Sequence, residues 1–133
     1  MGAWGTGTFE NDGALDFVGM IIQTEDLAAV ESALNEVLAE DDYLDAYVAE
    51  TGLVAGEVIA ALRGQPGELP DDLSEWLAKR DSASEALANQ AQLAIHRIMA
   101  PDSELRELWE ESDEFDAWQD GIDDLLRRLA NSP

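Results

Sequence analysis

The sequence predicts an all-α protein: a single compact domain over residues 1–133, of about six or seven helices, with a glycine-rich N-terminal arm at 1–10 packed on the helices and an internal linker at 64–70. Three observations carry this. Apolar residues recur every three or four positions in most segments, and alternation of strand type is almost absent. A chain of 133 residues that is 46% hydrophobic and holds four Trp has the size and apolar content for one core. The strongest helix-breaking stretch, "GQPGELP", falls between periodic segments rather than inside one.

Each element follows in turn. Helix one starts near Asn11 or Asp12, both capping residues, and aligns Ala14, Leu15, Val18, Ile21 and Ile22 on one stripe. Thr24 reads as the N-cap of helix two, with Glu25 and Asp26 at its positive end and Leu27, Val30, Leu34, Val37 and Leu38 inward. The acidic break Glu40-Asp41-Asp42 ends it, residues 43–47 read as extended, and a third helix runs to about Arg63 over Leu53, Val54, Val58, Ile59 and Leu62. Gly52 and Gly56 weigh against a strong helix there. Gly64 suits a helix C-cap, and Pro66 and Pro70 forbid continuation. A short helix carries Leu73, Trp76 and Leu77. An Ala-rich one over 84–99 points Leu87, Ala91, Ala94, Ile95 and Ile98 inward, with Ala86 among its close-packing small residues and Ala88 toward solvent. After Pro101, Asp102 or Ser103 caps a helix striped by Leu105, Leu108 and Trp109, and the last helix keeps Phe115, Trp118, Ile122, Leu125 and Leu129 on one narrow seam.

Charge and composition bound the function. Thirty Asp and Glu against 7 Lys and Arg give a formal charge of −23. Nucleic acid and anionic membranes are repelled by such a surface, because both are bound through Lys and Arg. Six of the seven cations, Arg63, Lys79, Arg80, Arg97, Arg127 and Arg128, fall in or just past the last turns of helices, where the helix dipole favours positive charge. Asp123 and Asp124 stand four residues before Arg127 and Arg128, the favourable order for helical ion pairs. With no cysteine there are no disulfides, thiolate ligands or Cys nucleophile. Apolar runs fall far short of the ~20 residues of a membrane span, and no Lys/Arg-led signal segment opens the chain, so a cytoplasmic protein is expected.

Motif matches fail on their chemistry. "MGAWGT" fits the acceptor pattern for N-myristoylation, yet one acyl chain anchors weakly without a polybasic partner, and this surface is acidic. Gly5 and Gly7 suggest a dinucleotide fingerprint, but Glu10 occupies the third glycine position and no strand precedes it. Residues 116–121 imitate part of a calcium loop, with Trp118 and Arg127 at ligand positions. The lone His96 sits at a helix end, where capping explains it. No cofactor and no metal are expected; the best oxygen-ligand candidates are Glu10, Asp12 and Asp16, whose alternative role is to cap and solvate helix one.

The opening "MGAWGTGTFENDGALDF" resembles a family of small bacterial proteins of unknown function whose members begin Met-Gly-Ala-Trp-Gly-x-Gly-x-Phe-Glu-Asn-Asp-Asp-Ala-x-Asp-Trp. The likeness continues more weakly through "YLDAYVAETGLVAGEVIAAL", "LPDDLSEWL" and "SELRELWEES" and so covers most of the chain. Gly13 and Phe17 depart from the pattern, which has Asp and Trp there, and Gly13 removes one carboxylate from this end. The resemblance implies a compact helical domain with no assigned activity.

The residues of the opening also argue for themselves. Gly2, Gly5 and Gly7 permit positive φ or close approach, Trp4 and Phe9 supply large apolar side chains, and Asn11 supplies a cap, which together describe a structural arm. Trp4, Glu10, Asp12 and Asp16 are the alternative binding set, for a cationic or metal-bound ligand. Three functions follow. The favoured one is a non-enzymatic acidic partner of a basic protein, of the immunity or antitoxin kind. The others are a carboxylate-based, metal-dependent hydrolase using the N-terminal acids, and a nucleic-acid mimic. Oligomeric state is not legible.

Self-repulsion at −23 sets one expectation for stability. Raising salt at pH 7 from a few millimolar to about 0.2 M, where charges more than about 8 Å apart are screened, raises the melting temperature. Superimposed melting curves at the two salt concentrations would refute it.

Overall fold

The computed structural model describes residues 5–131. Its order is α1 (Asp12–Ile21), α2 (Ala28–Ala39), α3 (Ala46–Leu62), α4 (Asp71–Leu77), α5 (Glu85–Ile98), α6 (Glu104–Glu110) and α7 (Phe115–Ala130). The fold is all-α, as the periodicity predicts; among the described residues the β-type pairing is one isolated bridge between Leu44 and Ser103.

The architecture is organised by α3. Residues 51–60 are all buried, and α3 packs against each of the other six helices. A helix surrounded in this way cannot be amphipathic, and "TGLVAGEVIAAL" is apolar or small on every side except at Glu57. The glycines that weaken it as an isolated helix are what its neighbours require. A Cβ on Gly52 would stand 2.7 Å from Val37 Cγ2 and 3.1 Å from Ile98 Cδ1, and one on Gly56 would stand 3.1 Å from Ile95 Cδ1 and 3.3 Å from Leu125 Cδ2. Around α3, α2 and α5 pack on one another and α5 packs on α7, so buried residues from both sides of the 64–70 linker join one apolar cluster.

The linker turns the chain without dividing this core. Gly64 is the one described residue with positive φ, at 84°. It lets the Gly64 and Gln65 amides donate back to Ala61 O at 3.1 Å and Ala60 O at 2.9 Å, the paired bonds of a Schellman cap. N-caps are as expected at Asn11, whose Oδ1 accepts from Ala14 N at 2.7 Å, and at Ser103.

Three expectations are corrected. Thr24 does not cap α2: its hydroxyl donates to Ile21 O at 2.8 Å, closing α1 instead. Asp26 accepts from Ala28 N at 3.0 Å, and the helix starts there, with Leu27 at a cap position that makes no side-chain bond. On α5, Ala88 is 2% exposed whereas Ala86 faces solvent, because alanine is small enough for either side and packing against α2, α3 and α7 chooses the phase. Gly5 and Gly7 do not use positive φ. The Glu10 carboxylate folds over both, within 2.7 Å of where a Cβ would stand, but it is the mobile end of an exposed side chain and does not by itself require glycine.

The cations also do more than answer helix dipoles. Arg97 donates to Glu40 O at 3.0 Å and Asp42 O at 2.8 Å while pairing with Asp102 at 3.1 Å, and so ties the α2–α3 loop to the α5–α6 loop. Trp76 Nε1 donates to Thr24 O at 2.8 Å, and Arg80 lies 4.8 Å over the Trp76 ring while donating to Glu25 O, which fastens α4 to the α1–α2 turn.

The two kinds of helical glycine respond oppositely to alanine. Gly121 is exposed in the middle of α7, with nothing within 4 Å of the place a methyl group would take, and Gly121→Ala gains about 0.5–1 kcal/mol. Gly52→Ala forces Val37 or its helix to shift, and overpacking of roughly 1–3 kcal/mol outweighs the propensity gain. Urea unfolding in which both variants are stabilised would show that α2 and α5 do not close on α3 as described.

Candidate functional site

The one charged residue within the buried run of α3 is Glu57, 6% exposed. A carboxylate there requires partners, and α7 provides them. Arg128 meets it as a fork, with Nη1 to Oε1 at 2.9 Å and Nη2 to Oε2 at 3.0 Å. The remaining Arg128 donors reach Asp124 Oδ2 at 2.8 Å and Gln65 O at 3.2 Å, and the Thr8 hydroxyl reaches Glu57 Oε2 at 3.4 Å. Burial opposes the charge of Arg128, but the hydrogen bonds and charges of Glu57 and then Asp124 hold it more firmly protonated than usual. The Asp124 carboxyl is held below its ordinary value of 3.8 by hydrogen bonds from Arg128 first and Arg127 second. The expected pair of Asp124 with Arg128 is therefore present, whereas Arg127 pairs with Asp124 three residues before it instead of the expected Asp123, and the larger role of Asp124 is to complete this buried network.

Beside the network lies a cleft of about 280 Å³ between the arm, α3, α6 and α7. Trp109 of α6 and Trp118 of α7 form its floor, stacked at 6.1 Å between ring centroids with 13° between planes. Phe9 and Leu53 add apolar wall, and Glu50, Glu57, Glu68 and Asp124 bring carboxylates to it. Glu50 and Glu57 are seven residues apart on α3, which puts them on one face about 10 Å apart along the axis. Glu57 is neutralised by Arg128. Glu50 is half-buried, and among the described residues none donates a hydrogen bond to it or forms an ion pair with it. Burial first, and the charge of Asp45 second, raise its carboxyl above the ordinary 4.5 against the opposing positive charge of the N-terminus.

Of the binding set read from sequence, Trp4, Glu10, Asp12 and Asp16, no described member lines this cleft. Trp4 and Gly2 lie outside the described residues. Glu10 turns back on the arm, accepting from Gly7 N at 3.0 Å, while Asp12 and Asp16 are exposed on α1. No group of three or more His, Asp or Glu among the described residues is placed to hold a metal ion. Phe9, half-buried against the core, and Gly7 do line the cleft, and Asn11 joins them as the cap of α1 while its amide donates to Thr8 O at 3.3 Å. Motif reasoning does not reach Glu50, Glu57 or the inward role of Arg128. The available signal is a single acid inside "TGLVAGEVIAAL", which a helix apolar on all sides does not carry without a cation from elsewhere in the chain.

Residues 2–121 match the family described as a domain of unknown function, DUF4259. The chain belongs to this family. The DUF4259 match takes in the arm, Glu50, Glu57, Trp109 and Trp118, while Asp124 and Arg128 lie beyond it. No curated protein and no solved structure matches the chain.

Breaking the buried pair from one side is costly. Arg128→Met strands the Glu57 carboxylate and lowers stability by about 3–5 kcal/mol, and Glu57→Leu in the same chain recovers most of the loss. A double variant no more stable than Arg128→Met in urea unfolding would contradict the network. The shifted carboxyls set the pH response with opposite signs. Glu50, raised on folding, opposes the folded state when ionised, so stability increases as pH falls from neutrality through its raised value toward 4.5. Asp124, depressed on folding, contributes stability that is present above 3.8 and lost as pH falls through its lowered value. Glu50→Gln flattens the first limb and leaves the second, which thermal melts across this range measure.

Proposed function

We propose that the protein is a cytoplasmic, non-enzymatic interaction protein of the immunity or antitoxin kind, whose acidic helical surface docks a basic protein partner. The observation that carries this reading is the division of labour between its charges. Five ion pairs among the described residues engage only four carboxylates, Asp102, Glu110, Asp124 and Glu57. Arg63, Arg80, Arg97, Arg106 and Arg128 each donate to a backbone carbonyl, so most cations are committed to holding loops and caps. Most of the 30 acids stand outside these ion pairs among the described residues. Such a field attracts a cationic protein, raises its association rate and repels nucleic acid and anionic lipid. Exposed Met20, Tyr43, Tyr47 and Leu93 add apolar area for contact among the acids.

The test is capture at low salt on the immobilised full chain, beside an unrelated helical protein of equal net charge. A partner is expected that the control does not retain and that, once purified, binds saturably with an association rate falling as salt rises. Identical retention on the two proteins would reduce the acidic surface to a solubilising coat.

A further inference from the structure

We infer that a groove between α1, α2 and α3 is the seat of a basic amphipathic helix of the docked partner, which inserts an apolar side chain between Phe17, Met20 and Tyr47. The inference rests on the proposed partner reading and names the surface and the kind of segment it takes. The groove holds about 200 Å³ and is walled by Phe17 and Met20 of α1, Ala29 and Ala33 of α2, and Tyr47 and Thr51 of α3. Phe17, Ala33 and Thr51 are buried within it, whereas Met20 and Tyr47 are 56% and 48% exposed, so an apolar contact there is open to a partner. Met and Tyr are residues that contact surfaces favour, the one for its adaptable thioether and the other for its rigid area. The space suits one or two side chains and is smaller than the roughly 300 Å³ at which small-molecule sites begin. Its walls are helices whose backbone groups bond within each helix, and the Thr51 hydroxyl donates to Val48 O at 2.8 Å. An extended segment would lay unpaired amides on these walls, whereas a helix brings its own already bonded. The charge around the groove selects the sign of that helix. Glu36 lines it, exposed Asp16 stands one turn before Met20 on α1, and no described Lys, Arg or His lines it. Glu50 is not counted with them, because it lies with Tyr47 against Gly13 and the positive N-terminus already acts on it. Lys or Arg three or four positions from the apolar anchor would reach Asp16 and Glu36 with their stems along the apolar wall. A second copy of the chain would instead bring its own −23 to this rim.

The full-length protein, its methionine methyl groups labelled for NMR, is titrated with a Lys–Leu peptide of about 18 residues whose leucines share one helical face. A peptide of the same composition with its leucines dispersed controls for charge. With the first peptide alone, saturable movement of the Met20 methyl is expected, together with a gain of helical circular dichroism, while Met99, packed against the core beyond α5, serves as the unmoved reference. Ser32→Arg places a long cation in the groove from an exposed position and should weaken binding by about tenfold or more, the effect of losing one well-seated anchor. Asn35→Arg, the same charge change at an exposed position of α2 that faces Gln90 of α5, should leave binding nearly unchanged. Equal movement with the two peptides, equal losses in the two variants, or binding without a gain of helix would overturn the assignment. So would shifts confined to the Trp109 and Trp118 indoles, which would move the site to the cleft. A silent Met20 methyl in a protein that still captures its basic partner would remove this inference and leave the proposed function standing. A groove that binds the peptide as expected in a protein that captures no partner would remove the proposed function and leave the groove as a helix-binding site.

Discussion

A helix enclosed on every side has to let its neighbours close around it, and α3 meets that constraint with glycine and alanine where α2, α5 and α7 come nearest. Everything else in the fold is arranged against it. The cost in intrinsic helix propensity at Gly52 and Gly56 is of order 1 kcal/mol each, small beside the apolar area that Val37, Ile95, Ile98 and Leu125 bury by approaching so closely. The same enclosure makes Glu57 conspicuous, since a charge in that position is tolerable only with a partner of matching geometry.

That partner binds the two ends of the chain to the middle. Arg128 in α7 reaches Glu57 in α3, the linker at Gln65, and Asp124 on its own helix, while Thr8 in the arm touches Glu57 from the other side. The cleft is a consequence of this meeting. Where arm, α3, α6 and α7 converge around an ion pair instead of a packed apolar layer, their side chains do not fill the space, and the stacked Trp109 and Trp118 remain at its floor. Glu50 then occupies the same face as Glu57 but is only half-buried, and the positive charge of the N-terminus offsets in part what burial and Asp45 cost its carboxylate.

The electrostatics separate by depth. Cations are few, and most of them, though not the exposed Lys79 and Arg127, are directed to carbonyls at loop ends and to the buried carboxylate, which gives those a structural role less sensitive to salt than a surface pair. Carboxylates are many and directed outward, where their mutual repulsion is screened by salt and their attraction for a basic partner is screened with it. Membership of DUF4259 fixes the family and carries no activity, so the functional reading stands on this charge division.

The sequence by itself determined the helical class, nearly all the helix positions, the Gly64 corner and the excess of acid, and narrowed two N-caps to Asn11 or Asp12 and to Asp102 or Ser103, because each depends on residues within a turn or two of one another. It placed Leu53, Val54, Val58 and Ile59 in the core but did not show that α3 is surrounded, since periodicity reports one apolar face and is silent when all faces are buried. The phase of alanine-rich α5 was decided by packing, because Ala88 fits either face, and the start of α2 by local hydrogen bonds, because the Thr24 hydroxyl reached Ile21 O and Asp26 took the Ala28 amide. The candidate site belongs wholly to the tertiary structure. The Glu57–Arg128 pair spans 71 residues and the cleft joins residues of the arm to α7, and no local pattern encodes which acid among 30 loses its water.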